Sequence, residues 1–418
     1  MDHFIFRSST EGLVMLILVL LLAQAAPISP PDAALYNKAR ANMADILANQ
    51  PNYTCLETID RSERMKPKAK FETIDSLRFE VAFVGKQELY AWPGSKKFDE
   101  TNLVDMVPEG AAIATGAFAG HAQHLFRSNV AIVKIGDWVQ ENAARYARYP
   151  FTVPANRSRY VLMKSKRDQA VVGYSGDIWI DPSTARVTRI ALHADVIPER
   201  LDIQNTDTLI EYGAARIGER QFWLPSRSVE EITSRLGRTD RNITRFSGCR
   251  AFTGESTLRF DDGPTEDTSA QPVKVIELPP GVWFEVQFDE PVDSATVHVG
   301  DLIAATLASD IKQKGQVLFP KGSPVEMRLV RLQRRPDYIS FEVAVGEVTS
   351  RTASARLIAV PDPAVRGRGG PPPGMPHVAG DPFRPGLGSI YVRGSRLTLR
   401  KGFRSVWITT PPIEKESK

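Results

Sequence analysis

Leu77, Phe79, Val81 and Phe83 alternate with polar or small residues in the stretch DSLRFEVAFVGKQELYAW. A period of two is the mark of a strand with one buried face, so this stretch commits the chain to antiparallel sheet. The same pattern returns in YVLMKSKR, SGDIWIDPSTARVTRIALHA, DTLIEYGAARIGERQFWLPSRSVEEIT and CRAFTGESTLRF. Short turns part these strands, with Asp181-Pro182-Ser183-Thr184 and Ile217-Gly218-Glu219-Arg220 at two of the bends. One helix precedes them: Leu35, Ala39, Met43, Ile46 and Leu47 share a face at helical spacing, and Pro51 ends it. The fold class is mainly β, of the α+β kind.

At 418 residues the chain exceeds one ordinary core. The polar, turn-rich DDGPTEDTSAQP, Asp261 to Pro272, has no periodicity and marks a boundary. The expected organisation is a first domain over 26–262, a linker over 263–274, a second domain over 275–410 and a tail over 411–418. In the second domain one phrase recurs: LPPGVWFEVQF, LFPKGSPVEMRL and LTLRKGFRSVWI each place a tight turn closed by Gly281, Gly322 or Gly402 before an alternating strand. Glycine tolerates the positive φ of such a corner, and repeated corners bend a sheet into a small barrel. Between 366 and 388, 13 of 23 residues are Gly or Pro, which reads as a long exposed loop. Its RGRGG opening, present once, is a solvated loop and not an RNA contact.

Residues 1–25 read as an export signal: Arg7, the unbroken apolar run Leu13 to Ala23, then Ala23-Gln24-Ala25 as a site for cleavage after Ala25. The run is 11 residues, short of the roughly 20 that span a bilayer, although Glu11 weakens the positive leading charge and an uncleaved anchor is the alternative. A periplasmic or secreted location follows. In an oxidising compartment Cys55 and Cys249, the sole cysteines, favour a disulfide closing a long loop; two buried free thiols are the alternative.

The order of one amphipathic helix, a strand opening NYTCLETIDR, a small-residue segment, then GDIWIDPSTARVTRIAL and YGAARIGERQFWLPSRSV resembles the periplasmic lipoprotein-carrier superfamily and its outer-membrane lipoprotein-sorting relatives (LolA/LolB-like) over about residues 32–262. The resemblance implies a curved antiparallel sheet forming an open β-barrel, helices on its concave side and an apolar cavity for acyl chains. It also places Cys55 in the first strand and Cys249 near the last. The stretch VGDLIAATLASD…GQVLFPKGSPVEMRL is similar to the β-barrel domain of outer-membrane-complex proteins in conjugation and type IV secretion, a likeness of fold more than of role.

Candidates for chemistry are few. His121 and His124 share a helical face without the acidic residue and spacing of a zinc-protease helix, and His193, His298 and His377 stand alone. GYSGD around Ser175 departs from the nucleophile elbow, and DIWID after it reads as strand where that motif needs helix. Asp261-Asp262 lies in the linker, and neither a phosphate loop nor a dinucleotide fingerprint occurs. From Ala26 onward Lys+Arg number 52 and Asp+Glu 47, too balanced and scattered for nucleic acid. Sequons at Asn52, Asn156 and Asn242 matter only in a glycosylating pathway. The expectation is a non-enzymatic envelope protein with no cofactor and no metal. If the sheet curves, Phe79, Val81, Phe83, Trp138, Trp179 and Ile190 line a concave apolar site for a lipid, lipoprotein or other apolar ligand, with the segment from Gly110 to Gly120 as its lid. The alternative is that these residues form a closed core. Two other readings stand beside it: an envelope assembly or secretion scaffold with an envelope protein partner, and, more distantly, an exported hydrolase. Membrane contact is peripheral at most once the signal is removed.

Overall fold

The computed structural model describes residues 29–84, 87–95, 98, 103–107, 115–165, 167–251, 274–335, 337–362, 376–380 and 386–411. The N-terminal apolar run, the linker up to 273 and the tail beyond 411 lie outside the described residues.

Helix α1 (Ala33–Asn49) starts where Asp32 accepts a hydrogen bond from the Leu35 N–H at 2.8 Å, satisfying one of the free donors of the first turn. It stops before Pro51 and buries Ala39, Met43 and Leu47. A long antiparallel sheet follows. Its strands are β1 (Tyr53–Arg64), β2 (Glu72–Val84), β3 (Gln87–Ala91), β4 (Ile132–Val133), β5 (Asp137–Glu141), β6 (Ala144–Val153), β7 (Tyr160–Ser165), β8 (Asp168–Asp181), β9 (Arg186–Asp195), β10 (Ile203–Ile217), β11 (Arg220–Ser234) and β12 (Thr239–Ala251). The short α2 (Leu103–Met106) and α3 (Gly120–Arg127) sit between β3 and β4. The spatial order is β3-β2-β1-β12-β11-β10-β9-β8-β6-β4, with β5 on β6 and β7 on β8. Most neighbours are consecutive strands; β8–β6 and β6–β4 each skip one strand, and β1 beside β12 brings the first strand against the last.

The disulfide of Cys55 and Cys249 spans that junction and closes a sequence separation of 194 residues. Local register explains the meeting. Thr54 faces Arg250 and Leu56 faces Ser247, so Cys55 confronts two residues of β12, Gly248 and Cys249. That is a bulge, and Gly248 adopts the φ of +56° that its extra residue requires. Another bulge falls between Glu211 and Tyr212, with Ser226 as the extra residue beside Pro225, which cannot donate to a regular ladder.

Two apolar clusters flank the middle of the concave face. One joins α1 and α3 to the inner face of β6, β8, β9 and β10 through Met43, Phe126, Phe151, Tyr174 and Ile190. The other gathers Tyr53, Phe79, Val81, Phe118 and Phe246, then continues without a break into a second β unit built from strands between Lys274 and Thr409. In that unit a seven-stranded and a four-stranded sheet share one core around Phe341 and Trp407. Gly281, Gly322 and Gly402 all have φ between 83° and 90°, the positive value expected of them as corners. Within the Gly/Pro-rich stretch, expected to be loop, His377–Gly380 forms a strand paired with Leu387–Arg393. No proline interrupts those four residues, so their N–H groups are free to join a ladder.

The second unit sits on an exposed sheet edge. β3 pairs only with Glu80–Val84, which leaves the earlier part of β2 open, and Val299 fills it. The Val299 N–H donates to Ser76 O and the Arg78 N–H donates to Val299 O, each at 2.8 Å. Arg78 also pairs with Asp301 at 2.9 Å, and Arg328 donates to Pro93 O and Gly300 O. Gly300, at φ +104°, has no room for a side chain: a Cβ there would stand 2.3 Å from Arg78 O.

Two outcomes are expected. Replacing both cysteines by alanine lowers unfolding free energy by about 2–4 kcal/mol, read from urea denaturation of oxidised wild type and variant. Gly300→Ala costs about 3 kcal/mol through the clash and strained φ, and limited proteolysis then cuts between the two β units before either is degraded.

Candidate functional site

Cross-strand register gives the concave face residue by residue. One inner row runs Tyr149, Ile178, Ile190, Ile210, Ser228, Thr244, Ile59, Leu77. The next runs Phe151, Gly176, Leu192, Thr208, Glu230, Asn242, Arg61, Asp75. Both are apolar over β6, β8 and β9 and turn polar over the central strands. Glu57, on the inner face of β1, lies between Phe246 and Phe79 of its neighbours.

A chamber opens where the polar residues collect. Its floor is Glu57 and Ile59 of β1, Thr208 of β10, Ser228 and Glu230 of β11, and Asn242 and Thr244 of β12. Tyr90 of β3 forms a side, and Thr115, Ala117, Phe118 and His121 form the roof. The empty volume is about 410 Å³ counting the part open to solvent, while the enclosed part has room on the order of one water molecule.

The roof is held by a carboxylate. Glu88 of β3 accepts from the N–H groups of Gly116, Ala119 and Gly120 at 2.8, 2.8 and 2.9 Å. It also accepts from the Tyr90 hydroxyl at 2.8 Å. Ala119 has no side chain to cap α3, so a strand residue supplies the negative group that a helix N-terminus favours. One edge of the floor is neutralised internally: buried Arg61 makes a two-pronged bond to buried Asp75 at 2.7 and 2.5 Å.

Among the described residues Glu57 has no such partner: it is 5% exposed, and its Oε2 is buried without a hydrogen bond. Burial first, then the nearby charge of Glu88, pushes its carboxyl up to about 8. Glu230 differs, since it accepts from the Asn242 amide at 3.0 Å. Burial holds His121 down to about 4, against a smaller upward pull from Glu88. His124, although one turn away, leaves the chamber and donates from Nε2 to Arg157 O at 2.9 Å.

The residues expected to line a cavity lie elsewhere. Phe79 and Val81 are fully buried in the cluster that extends into the second unit, with Phe83 half-buried against it. Ile190 is buried in the cluster under α1, and Trp138 is half-buried beside it with Arg145 over its ring at 4.0 Å. Trp179 alternates with inward-facing Ile178 and Ile180, so it faces outward beneath Arg189 at 5.0 Å. None of the six touches the chamber. Of the segment from Gly110 to Gly120, residues 110–114 lie outside the described residues; the rest is the roof pinned by Glu88. Ser175 lies within β8 and donates to Asp195 at 2.8 Å, while its cross-strand neighbour His193 bonds to Asp207 at 2.8 Å. The hydroxyl is thus directed to a carboxylate and away from the imidazole that a nucleophile needs. Among the described residues no group of three or more His, Cys, Asp or Glu is arranged to hold a metal ion.

No family model and no curated protein matches the chain. Among solved structures it is similar to a LolA superfamily protein from Nitrosomonas europaea, with 11% identity and a TM-score of 0.27 over 53% of this chain and 93% of that one. It is also similar to a DUF1329 family protein from Desulfovibrio piger, with 12% identity and a TM-score of 0.30 over 56% of this chain and 98% of that one.

The chamber fixes a pH response. Glu57, raised on folding, contributes stability that is full below about 4.5 and is lost as pH rises through about 8. His121, depressed on folding, contributes stability that is present above about 6.5 and is lost as pH falls toward about 4. The two slopes oppose one another between about 4.5 and 6.5, and above that range Glu57 acts alone. Relative to Glu57→Gln, the wild type is expected to lose about 2 kcal/mol between pH 6.5 and 8, measured by urea denaturation at stepped pH. A constant difference between the two proteins across that range contradicts this.

Proposed function

We propose that the chain is an exported, non-enzymatic envelope protein that binds a lipid, a lipoprotein or another ligand with a large apolar part between the concave sheet and its helices. The second β unit serves to dock that complex. The observation that carries this reading is the composition of the inner rows: a chamber with a polar floor, bounded on either side by apolar clusters that reach α1, α3 and Phe118. Such a surface suits an amphiphile better than a fully polar or fully apolar molecule. The cross-strand disulfide suits an oxidising compartment, and the N-terminal apolar run suits export. As the enclosed space is small, an acyl chain enters only as the roof and its apolar neighbours move apart.

A scaffold is the second reading, favoured by the seat of the second unit on β2, where backbone bonds and a continuous core join the two into one body. Native mass spectrometry of protein from a bacterial periplasm, followed by denaturing lipid extraction, separates the two. The carrier reading expects a discrete lipid mass whose occupancy falls at least about tenfold in a folded Ala117→Trp variant, which fills the chamber mouth. A bare protein that ignores added acyl chains and instead co-purifies with an envelope complex selects the scaffold.

A further inference from the structure

The charge and size of the chamber indicate which end of an amphiphile it accepts, an inference that rests on the binding reading above. Among the described residues its lining includes two carboxyl side chains, Glu57 and Glu230, and no Lys or Arg. The nearest guanidinium, that of Arg61, carries Asp75 as its counter-charge through Nε and Nη2, with Nη1 buried and without a partner. An anionic head such as a phosphate or a carboxylate would meet acid groups in the lining, and the one guanidinium near it is already neutralised by Asp75, which is unfavourable in a low-dielectric site. Among the described residues the buried carboxyl oxygen of the floor that lacks a partner is Glu57 Oε2, which is able to accept a donor. Phe118 stands at the roof in contact with the rings of Tyr53 and Phe246, at centroid distances of 5.0 and 5.2 Å, and offers an aromatic surface to a cation. The enclosed space is the size of a water molecule, and so of a primary ammonium, and is too small for three methyl groups on nitrogen.

From these we infer that the chamber is a site for the primary ammonium head of a single-chain or multi-chain amphiphile, with Glu57 as its acceptor. The head's N–H groups reach Glu57 and the neighbouring hydroxyls of Ser228 and Thr244, and the apolar tail leaves past Ile59, Ala117 and Phe118. A buried neutral carboxyl becomes a carboxylate as the ammonium arrives, so one proton is released to solvent for each ligand bound. Burial and Glu88 keep that proton on Glu57 until about pH 8. The titratable groups facing it are Glu88 and Tyr90 from β3, His121 from α3, Glu230 from β11 and Tyr212 from β10, with Tyr53 and Arg61 on its own strand. His121 stays neutral above about pH 4 and adds no competing charge across the relevant range.

Calorimetric titration of the mature protein with dodecylammonium, dodecanoate and dodecyltrimethylammonium, each below its micelle concentration, tests this. Dodecylammonium is expected to bind at least about tenfold tighter than either of the others at pH 7.5, a charge-assisted hydrogen bond being the difference. Its affinity is expected to rise about tenfold from pH 6.5 to 7.5, and Glu57→Gln abolishes both the preference and the pH dependence while circular dichroism and the melting curve show a folded protein. Equal binding of the three probes, or an unchanged preference in Glu57→Gln, overturns the ammonium assignment and leaves the amphiphile reading standing. Binding of none of them overturns both. If Glu57→Gln does not fold, the ranking and pH dependence of the wild type alone decide.

Discussion

The pairing of β1 with β12 is the contact on which the other features depend. It sets Glu57 and Arg61 beside Asn242 and Thr244, and through β12 beside Ser228 and Glu230, so the chamber floor exists only while the two ends of the sheet are neighbours. It also leaves β2 one strand from the end, with a free edge that Val299 takes up. Closing a loop of this length is entropically expensive in an unlinked chain, and the disulfide at the bulge removes much of that cost from the folding equilibrium.

The concave face is divided by chemistry. Where both rows are apolar, α1 and α3 pack directly on the strands and form ordinary core. Over the central strands, buried carboxyl, amide and hydroxyl groups replace the aliphatic side chains, and each polar group there must find a partner or remain at a cost. Asp75 meets Arg61, and Glu230 meets Asn242. Glu88 collects three backbone donors from the roof. Among the described residues Glu57 is the floor carboxyl left over, and a chain stabilised only for folding would be served better by a neutral side chain there. A group retained against stability is what a binding site contains.

Much of the architecture was legible in the sequence. The period of two from Leu77 to Phe83, the helix ended by Pro51 and the corners at Gly281, Gly322 and Gly402 each follow from local rules, and the structure contains them. The chamber was not legible, because its strands invert the usual pattern. In β12 the inward residues are Asn242 and Thr244 while Ile243 faces outward, in β11 Ser228 and Glu230 face inward on either side of Val229, and in β1 Glu57 faces inward beside Leu56. A reading that assigns apolar positions to the interior turns these strands over; in β8, where Ile178 and Ile180 face inward as usual, Trp179 is equally apolar and local pattern alone does not place it outside. Only the register of Ile190 with Ile210 and of Ile210 with Ser228, which no single sequence prints, fixes the face. A signal was present nonetheless: polar residues of one parity recurring in several strands, each next to an aliphatic of the other parity.

The account rests on Glu57 being a buried, unpartnered carboxyl at the floor of the chamber. Carbon-detected NMR titration of the glutamate side-chain carboxyls, with Glu57 assigned through Glu57→Gln, measures this directly. The account expects a midpoint near 8, separated from the other glutamates and displaced downward when dodecylammonium is added. A midpoint in the ordinary carboxylate range in the free protein would mean that Glu57 meets water or a cation already, and would contradict it.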